Sequence, residues 1–397
     1  MAASASPATA ETTASPWYPQ ALLDRPCDPS MFEAGLPSPW GRVHGWDHTA
    51  ALSPAWWNTA PKGRWGAWPE AITKVEVVAE NRCGVIVHLN GAWVAHLYPF
   101  QTGRDVSALA RHEPWAQLLS EGPVLLPVAG VTDERGDRVA VFPMHMLSDS
   151  ERVKRERTAA VRALGVVHAL LVPQATPNTE RRWNDRLKAV EDGLKTTTLW
   201  RAPHTKHVVG LPSVNMTLDG FAEVEGTTVV VPQPRPLVDH LLAADERLPG
   251  VATVAMLEQR LALEGTFSGT EERAMFYRAW GDTVPPAWTS NASLSTVNGG
   301  VWIWRYHATL LMLAEARAYG LDDQARRCDR WLLDVSRIQA RLGELRTVHA
   351  VRRGGVLAGI AGALIGSGSL QIPFIVGAAA VALVAHVVHQ RRMPPPF

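Results

Sequence analysis

The histidines, cysteines and serines of this sequence are the side chains with the most obvious chemistry, and their spacing supports little of it. His204 and His207 stand three residues apart, but no carboxylate or cysteine beside them completes a metal-ligand set. The three cysteines lie far apart without a CxxC pair, which argues against a zinc module or disulfide scaffold and fits a reducing compartment. Neither Ser213 nor Ser290 lies in a Gly-x-Ser-x-Gly turn. We therefore expect no metal site and no serine nucleophile.

Length and composition limit the classes of function. The chain has 397 residues, enough for a large domain with a full hydrophobic core. Its 39 Lys and Arg residues balance 38 Asp and Glu residues, so no net field would attract nucleic acid, and we expect no nucleic-acid partner. Residues 1–16 are rich in Ala, Ser, Thr and Pro and lack the pattern of a secretory signal, so we expect disorder there.

Residues 17–72 form an arm that is rich in Trp, Pro and Gly and has no helical or strand period. Tryptophan is frequent in the whole chain, with 16 residues against 5 Tyr. Seven tryptophans belong to the arm: Trp17, Trp40, Trp46, Trp56, Trp57, Trp65 and Trp68. Indole rings are costly to leave in water. The arm therefore either wraps onto the domain that follows it or holds a partner or a membrane surface.

The pattern from Thr73 onward predicts an α+β order of elements. Between residues 73 and 146, TKVEVVAE, CGVIVHL and WVAHLYPF are β-rich runs, and Asn90-Gly91 between the last two is a strong hairpin signal. ARHEPWAQLLSEG reads as a short helix, and two more strands follow. Residues 147–344 have the period of amphipathic helices, with His168 on an apolar face where we expect it to pack. A small antiparallel sheet should precede a larger helical part.

Residues 345–397 have the composition of a membrane anchor with a basic tail. About 37 residues between Arg353 and Arg391 include no charged side chain. As one helix they would rise about 55 Å, well beyond a hydrocarbon core of about 30 Å. Two short spans, Gly354–Ile365 and Ile372–Val388, joined near Gly366, suit that thickness better. Arginines at both ends place both ends in the cytoplasm by the positive-inside rule.

A transmembrane helical hairpin satisfies this topology. Gly362 and Gly366 have the small-xxx-small spacing that lets two helices approach closely. The sequence leaves two alternatives open: a pair of apolar helices buried in a soluble core, and a single span at Ile372–Val388. We expect location at the cell membrane, with the bulk of the chain in the cytoplasm and with Arg353 and Arg391 against anionic headgroups.

From Thr73 to about Ile338 the order of elements resembles the aminoglycoside phosphotransferase and protein-kinase-like family. WVAHLYP, RHEPWAQLLSEG and PVLLPVAGVTDERGDRVAVFPM resemble the small lobe: the strand with the ATP lysine, the helix with its glutamate partner and the strand to the hinge. The helix ending in ALGVVHALL resembles the first helix of the large lobe. VVGLPSVNMTLDG resembles the catalytic loop, and TTVVVPQPRPLVDHLLAA the metal-binding strand. The resemblance implies a two-lobed kinase-like fold.

Residue by residue, the resemblance implies a degenerate nucleotide site. His96 stands at the lysine position, where a neutral imidazole supplies no permanent charge to a phosphate. Glu113 stands at the position of the helix glutamate, and Asn215 at that of the metal-binding asparagine. These three residues are what remains of a cofactor site.

The positions that would carry phosphoryl transfer are lost. The catalytic aspartate position is Gly210, and the metal-binding aspartate falls on Pro232 or Gln233, none of which can orient a nucleophile or bind Mg²⁺ as an anion. The glycine-rich loop is reduced to Asn81–Gly84. Asp239 fits a structural aspartate of the family. We therefore name no catalytic residue and no metal ligand.

These positions favour a membrane-anchored, catalytically inactive kinase-like protein that acts as a docking or regulatory module. Its partners would be the lipid bilayer and a protein, and ATP with Mg²⁺ would at most be a ligand that is not hydrolysed. Two alternatives belong to other classes of function. One is an active ATP-dependent small-molecule phosphotransferase with a rearranged site. The other is a membrane effector whose hairpin perturbs the bilayer.

Overall fold

The computed structural model describes residues 15–147, 150–177, 180–196, 209–212, 214, 217–242, 247–290, 294, 300–365 and 371–392. Within these residues the strands are β1 (Leu36–Ser38), β2 (Gly41–Val43), β3 (Arg64–Gly66), β4 (Val75–Asn81), β5 (Gly84–Leu89), β6 (Trp93–Leu97), β7 (Ala129–Asp133), β8 (Gly136–Pro143), β9 (Met146–Leu147), β10 (Thr176–Pro177), β11 (Val209–Gly210), β12 (Phe221–Val224) and β13 (Thr227–Val230). The α-helices are α1 (Gln20–Leu23), α2 (Pro54–Asn58), α3 (Asp105–Arg111), α4 (Glu113–Leu119), α5 (Ser150–Arg155), α6 (Arg157–Leu170), α7 (Glu180–Leu194), α8 (Leu237–Leu242), α9 (Gly250–Leu263), α10 (Thr270–Gly281), α11 (Gly300–Ala318), α12 (Asp322–Leu333), α13 (Val335–Ile365) and α14 (Gln371–Arg392).

Six antiparallel strands form the main sheet, in the order β3-β7-β8-β6-β5-β4. The β-rich runs predicted after Thr73 supply five of them. Asn90 and Gly91 form the turn between β5 and β6, with φ angles of 51° and 66°. Positive φ at both central residues is what a two-residue hairpin turn requires, and Asn-Gly adopts it at low cost. The Asn-Gly signal therefore predicted this hairpin correctly.

The larger part of the chain is helical and packs around α11. Almost every side chain of α11 is buried, including Trp304, Tyr306 and Leu310. Helices α7, α8, α9 and α12 contact it. On α6, His168 is buried and accepts a hydrogen bond from Trp280 Nε1 at 3.1 Å, so its predicted packing role is confirmed. A sheet-rich part followed by a larger helical part is the α+β arrangement that the sequence predicts.

The Trp-rich arm wraps onto both parts of the domain. Its strand β3 pairs antiparallel with β7 and becomes one edge of the main sheet, and Trp57 is fully buried. Trp46 Nε1 donates to the Tyr98 carbonyl beside the sheet at 2.7 Å. Trp40 Nε1 donates to the Gly193 carbonyl of α7, in the helical part, at 2.8 Å. Of the two alternatives for the arm, the structure has the first.

Two elements differ from the sequence expectation. Helix α3 precedes the predicted short helix α4, because the Asp137 carboxylate accepts hydrogen bonds from the N–H groups of Val106 and Ser107 and caps α3 from a distant strand. The amphipathic period after Gly320 continues across a break, because α12 ends at Leu333 and α13 begins two residues later. The disorder predicted for residues 1–16 falls almost wholly outside the described part of the chain.

The last two helices, α13 and α14, form an antiparallel pair. Leu342 and Leu345, in the first half of α13, belong to the domain core. The helix then continues without a break for 31 residues in all. About two thirds of the way along α13, Gly355 lies against Ala378 and Ala382 of α14. The pair therefore projects from the domain on a continuous helix.

Beyond residue 354 this pair exposes apolar side chains on many sides. The exposed large ones are Val356, Leu357, Ile360, Leu364, Ile372, Phe374, Val376, Val381, Leu383, Val384 and Val387. Among the described helices, one segment, Ile372–Arg391, is long and apolar enough to cross a membrane. Two packed helices of this kind do not by themselves establish a bilayer, so the transmembrane hairpin stays a prediction.

Candidate functional site

The β4–β5 turn, where the resemblance places the glycine-rich loop, is fixed to the helical part by one arginine. Arg82 in this turn forms an ion pair with Glu315 of α11 (Nη1–Oε1 2.8 Å) and donates to Gln324 Oε1 of α12 at 2.9 Å. Its guanidinium lies 5.9 Å from the centre of the Tyr319 ring. Buried Glu315 also binds Arg260 of α9 at 2.8 Å. The turn is thereby held against the helices.

A cavity of about 180 Å³ adjoins this turn. Its lining comes from the turn, from α5, α9, α11 and α12 and from the loop before β12: Arg82, Cys83, Ser150, Thr217, Leu218, Asp219, Arg260, Leu263, Glu264, Glu315 and Gln324. A narrow cavity of about 30 Å³ shares Thr217, Arg260 and Glu315 with it. The size and polarity of the 180 Å³ cavity suit a small polar molecule. Across the described ranges, no group of three His, Cys, Asp or Glu side chains is placed to hold a metal ion.

Asp219 is the carboxylate of this cavity that has no ion pair among the described residues. Burial raises the pKa of Asp219, and the guanidinium groups of Arg260 and Arg82 oppose that rise. At Glu315 burial also acts to raise the pKa, but the same two guanidinium groups outweigh it and lower the pKa to about 2. Burial raises the pKa of the Cys83 thiol to about 12, so this cysteine is not an activated nucleophile.

His96 and Glu113, which the resemblance would pair, do not meet. His96 lies on β6 with 4% of its surface exposed, and its ring centre is 5.0 Å from that of Phe142. Burial, with a smaller effect of His145, lowers the pKa of His96 to about 3, so the imidazole is neutral at pH 7. Glu113 begins α4 and is exposed, without a contact to His96 among the described side chains. No ion pair at these positions replaces a lysine–glutamate pair.

An apolar cluster covers the face of the main sheet around His96. Its buried members come from the sheet, from α3 and from the β12–β13 hairpin: Tyr98, Val106, Ala140, Phe142, Ala222, Val229 and Val231. Two of them, Tyr98 and Phe142, have their rings against His96. The space beside the lysine position is therefore filled by the protein's own side chains.

The remaining positions of the resemblance are scattered or outside the described chain. Gly210 lies in β11, paired with Thr176 of β10. Asn215 lies outside the described residues. Gln233 is buried, and its side-chain amide has no hydrogen-bond partner in the described part of the chain. Asp239 accepts a hydrogen bond from Arg186 at 2.6 Å inside the helical part, which is a structural role.

Sequence reasoning missed the buried ion pairs that join the elements. Asp105 at the start of α3 binds the backbone N–H and the guanidinium of Arg235 at 3.1 and 3.3 Å. Glu258 on α9 is fully buried and accepts two hydrogen bonds from Arg305 of α11, at 2.6 and 2.7 Å. A signal was present in the sequence, because Glu258 in AMLEQRLAL and Glu315 in LMLAEARA are single carboxylates in apolar helical runs. Such a residue is rarely buried without a partner.

The candidate membrane residues lie on the α13–α14 pair. A side chain at Gly362 would meet the Phe374 ring at 2.7 Å, so the small residue permits the close approach that the spacing predicts. Its predicted partner in that spacing, Gly366, lies outside the described residues. The others are on these two helices: Arg353, Gly354, Ile372, Val388 and Arg391.

No family model matches the chain, and no curated protein matches its sequence. Among solved structures, a glucosamine kinase is similar at 14% identity and a TM-score of 0.41, over 73% of this chain and 80% of that one. The choline kinase LicA from Streptococcus pneumoniae is similar at 11% identity and a TM-score of 0.39, over 66% and 94%. A GDP complex of an aminoglycoside 2'-phosphotransferase is similar at 12% identity and a TM-score of 0.41, over 68% and 92%. Likenesses this loose assign no activity and no residue role to this chain.

Proposed function

We propose that this chain is a kinase-like protein that does not transfer phosphate and acts as a docking or regulatory module at the cytoplasmic face of a membrane. The observation that carries the proposal is the environment of His96. A phosphate-binding position needs a cation that the phosphates can reach. This one has a neutral, buried imidazole beside the rings of Tyr98 and Phe142.

The way in which the sheet is held to the helices supports the same proposal. Phosphoryl transfer depends on loops and lobes that close over the nucleotide and open again. Here Arg82 fixes the β4–β5 turn to Glu315, Asp105 binds Arg235, and the arm bonds to both parts of the domain. These contacts favour a fixed surface for another protein over a cleft that opens and closes.

The membrane location rests on the exposed side chains of the α13–α14 pair. A soluble protein rarely leaves a patch of this size uncovered. Leu364 and Ile372, at the far end of the pair, are 81% and 72% exposed. The basic residues Arg352, Arg353 and Arg391 lie at its near end, where anionic headgroups would meet them.

One observation favours the alternative of an active phosphotransferase with a rearranged site. Asp219 faces the polar cavity next to the β4–β5 turn and has no ion pair in the described part of the chain. A carboxylate in that position is the residue that would bind Mg²⁺ with a nucleotide if one entered. Asp219 therefore separates the two functions experimentally.

Calorimetric titration of Mg²⁺-ATP into the full chain in mild detergent tests the proposal. We expect no binding heat and no ATP consumption, because the surface around His96 is already covered. The full chain is needed because the arm contributes β3 to the main sheet.

The matched control for this titration is Asp219→Asn, which keeps the size of the side chain and removes its charge. The absence of binding heat and of ATP consumption in both proteins supports the proposal that the chain does not transfer phosphate. Micromolar binding with ATP consumption that disappears in Asp219→Asn would establish the phosphotransferase instead.

A further inference from the structure

Basic side chains from α13 and α14 meet at the end of the pair that lies nearer the domain. Arg352 donates to His349 Nδ1 on its own helix at 3.2 Å and to His386 Nδ1 on α14 at 3.1 Å. The ring centre of His389 lies 5.4 Å from that of His349. These four residues, His349, Arg352, His386 and His389, are the basic cluster. Because arginine only donates, both Nδ1 atoms are acceptors in this arrangement.

The basic cluster has no negative partner among the described residues. The charged or titratable groups near His349 and His389 are Arg352, Arg353, His386 and each other, and no carboxylate is among them. Burial, with smaller effects of Arg352, Arg353 and His389, lowers the pKa of His349. This is the direction expected where cations gather without an anion.

The basic cluster also has hydrogen-bonding atoms that lack a partner. His389 is 8% exposed, and its Nε2 atom has no hydrogen-bond partner within the described ranges. Because Nδ1 of His349 and of His386 accepts from Arg352, the proton of each ring is on Nε2, where it can donate. A buried polar atom without a partner is costly, so the cluster suits a ligand that supplies several acceptor oxygens.

The position of the basic cluster on the proposed anchor indicates which acceptor is present. His386 and His389 lie near the end of Ile372–Arg391, the segment that is long and apolar enough to cross a membrane. Ionisable side chains in such a segment are costly unless a partner is nearby. At this level of a bilayer the anions are the phosphates of lipid headgroups, and basic pockets between helices on the cytoplasmic side bind such headgroups.

Phosphate monoesters and diesters differ in two properties that the basic cluster can distinguish. A monoester has more free oxygens and a charge between about −1.5 and −2 near neutral pH, because its second pKa is about 6. A diester has a single charge. An imidazole with a pKa of about 6.5 can hold a proton beside a monoester, and the resulting charge-assisted hydrogen bonds are about twice as strong as neutral ones. The cluster therefore favours a monoester.

We infer that the basic cluster is a binding site for the phosphate-monoester headgroup of a membrane lipid. The inference rests on the proposed membrane location and adds the class of lipid that the anchor recognises. The phosphate oxygens accept from Arg352 and from the imidazole N–H groups. A histidine that binds a proton at Nδ1 no longer accepts from Arg352, which leaves the guanidinium to the phosphate.

Flotation of the full chain with phosphatidylcholine vesicles tests this inference. The vesicles contain no addition, phosphatidic acid, which is a monoester, or phosphatidylglycerol, which is a diester, the last two at equal surface charge. We expect the ratio of bound to free protein to be about fivefold higher with phosphatidic acid than with phosphatidylglycerol, as for one additional charge contact. Equal binding to the two anionic vesicles overturns the headgroup site and leaves the anchor in place. Absence of binding to every vesicle overturns the membrane location itself.

Inorganic phosphate distinguishes a lipid headgroup from a soluble phosphate as the occupant. Added at the same bulk concentration as the phosphatidic acid and at constant ionic strength, it should leave the preference for phosphatidic acid in place. The reason is that the membrane anchor raises the effective concentration of the headgroup at the cluster. Loss of the preference would overturn the lipid as the occupant and assign the cluster to a free phosphate.

Two variants connect the preference for phosphatidic acid to the basic cluster. Arg352→Gln removes its permanent charge. His349→Gln with His386→Gln keeps oxygens that can accept from Arg352 but removes two groups that could hold a proton. We expect each variant to reduce the preference to about twofold or less.

The matched control is Arg341→Gln, which removes the same charge from an exposed position of α13 nearer the domain core. It should leave the preference for phosphatidic acid unchanged. The same loss of preference in Arg352→Gln and Arg341→Gln would contradict the assignment of the site to the basic cluster.

Discussion

Burial shifts the pKa of single side chains in this protein. Whether a buried side chain is neutral or charged depends on the groups that are buried beside it. His96 and Glu315 are each 4% exposed or less. His96 lies in an apolar cluster beside another histidine and has no carboxylate partner among the described residues, so it is neutral. Glu315 has Arg260 and Arg82, so it stays charged. Within the described residues, the buried arginines Arg186, Arg235 and Arg305 likewise each have a carboxylate partner.

Replacing His96 with lysine tests whether a cation at this position creates a phosphate site. We expect His96→Lys to lower the free energy of unfolding by about 3–5 kcal/mol, because an ammonium group would lie unpaired beside Phe142. It should not create binding of Mg²⁺-ATP. Urea unfolding followed by tryptophan fluorescence, together with calorimetric titration, measures both effects.

His96→Leu is the control for that experiment, since it keeps an apolar filling and introduces no charge. We expect a change of less than about 1.5 kcal/mol, because the His96 Nε2 atom has no hydrogen-bond partner to lose in the described structure. A stable His96→Lys protein that binds Mg²⁺-ATP would show that the nucleotide site is latent rather than closed.

The residue types at the positions that the resemblance assigns could be read from the sequence, but the contacts around those positions could not. The residue types at positions 96, 210 and 233 are visible as soon as the elements are placed in order. The ion pair between Arg82 and Glu315 joins residues far apart in the chain, and no local period announces it. Only the apolar run around Glu315 indicated that it needed a partner.

Among the elements, the arm depends most on contacts with other elements. Its strand β3 has three residues, too few for a visible alternation, and its register is fixed by pairing with β7. At Gly66 the backbone has φ +74°, and a Cβ atom there would lie 2.2 Å from the Val128 carbonyl oxygen. The glycine is therefore required both by the backbone conformation and by the close approach of the neighbouring strand.

Gly66→Ala should detach the arm locally. We expect a loss of about 2–4 kcal/mol in the free energy of unfolding and faster trypsin cleavage after Arg64, because strain and a backbone clash act together. Gly91→Ala is the matched control, since Gly91 has φ +66° with open space around it. That change should cost about 1 kcal/mol. Equal losses would mean that the contact with Val128 does not hold the arm.

Elements with a strong local signal were predictable, and elements made by long-range pairing were not. Strands β4 to β8 follow from β-rich runs and from the Asn90-Gly91 turn. The three short arm strands, the α3 helix capped by Asp137 and the break between α12 and α13 have no such signal. The same distinction holds at the site. The sequence predicted the position of the β4–β5 turn, but not its attachment to the helices through Arg82.

At the scale of the whole molecule, acid should weaken the structure in a defined pH range. Burial lowers the pKa of His96 and of His168 to about 3. Burial and the nearby Arg186 hold the pKa of His307 well below its usual range. All three are neutral when folded and bind a proton on unfolding below a pKa of 6.5. These histidines therefore do not weaken the folded state above about pH 6.5. As the pH falls from there toward 3, the unfolded state binds more protons and the free energy of unfolding decreases.

We expect the free energy of unfolding to decline with a slope of at least about 4 kcal/mol per pH unit below about pH 6, because these three histidines take up three protons on unfolding. His48 and His145, whose pKa burial also lowers, add to this uptake. Urea unfolding of the full chain between about pH 7.5 and about pH 5, followed by tryptophan fluorescence, measures the slope. In His168→Gln the amide oxygen can still accept from Trp280 Nε1, and the slope should fall by about 1.4 kcal/mol per pH unit, the contribution of one proton. A free energy of unfolding that does not change over this range would contradict the assignment of three neutral histidines.

Helix α13 is continuous from the domain core at Leu342 to the apolar end at Ile365. A domain on a flexible tether would sample many heights and orientations above a membrane. In the proposed membrane location, this unbroken helix would instead hold the domain at one height and in one orientation, so a partner on the same membrane would meet it at a fixed angle. A tilt of the α13–α14 pair would then also tilt the proposed docking surface.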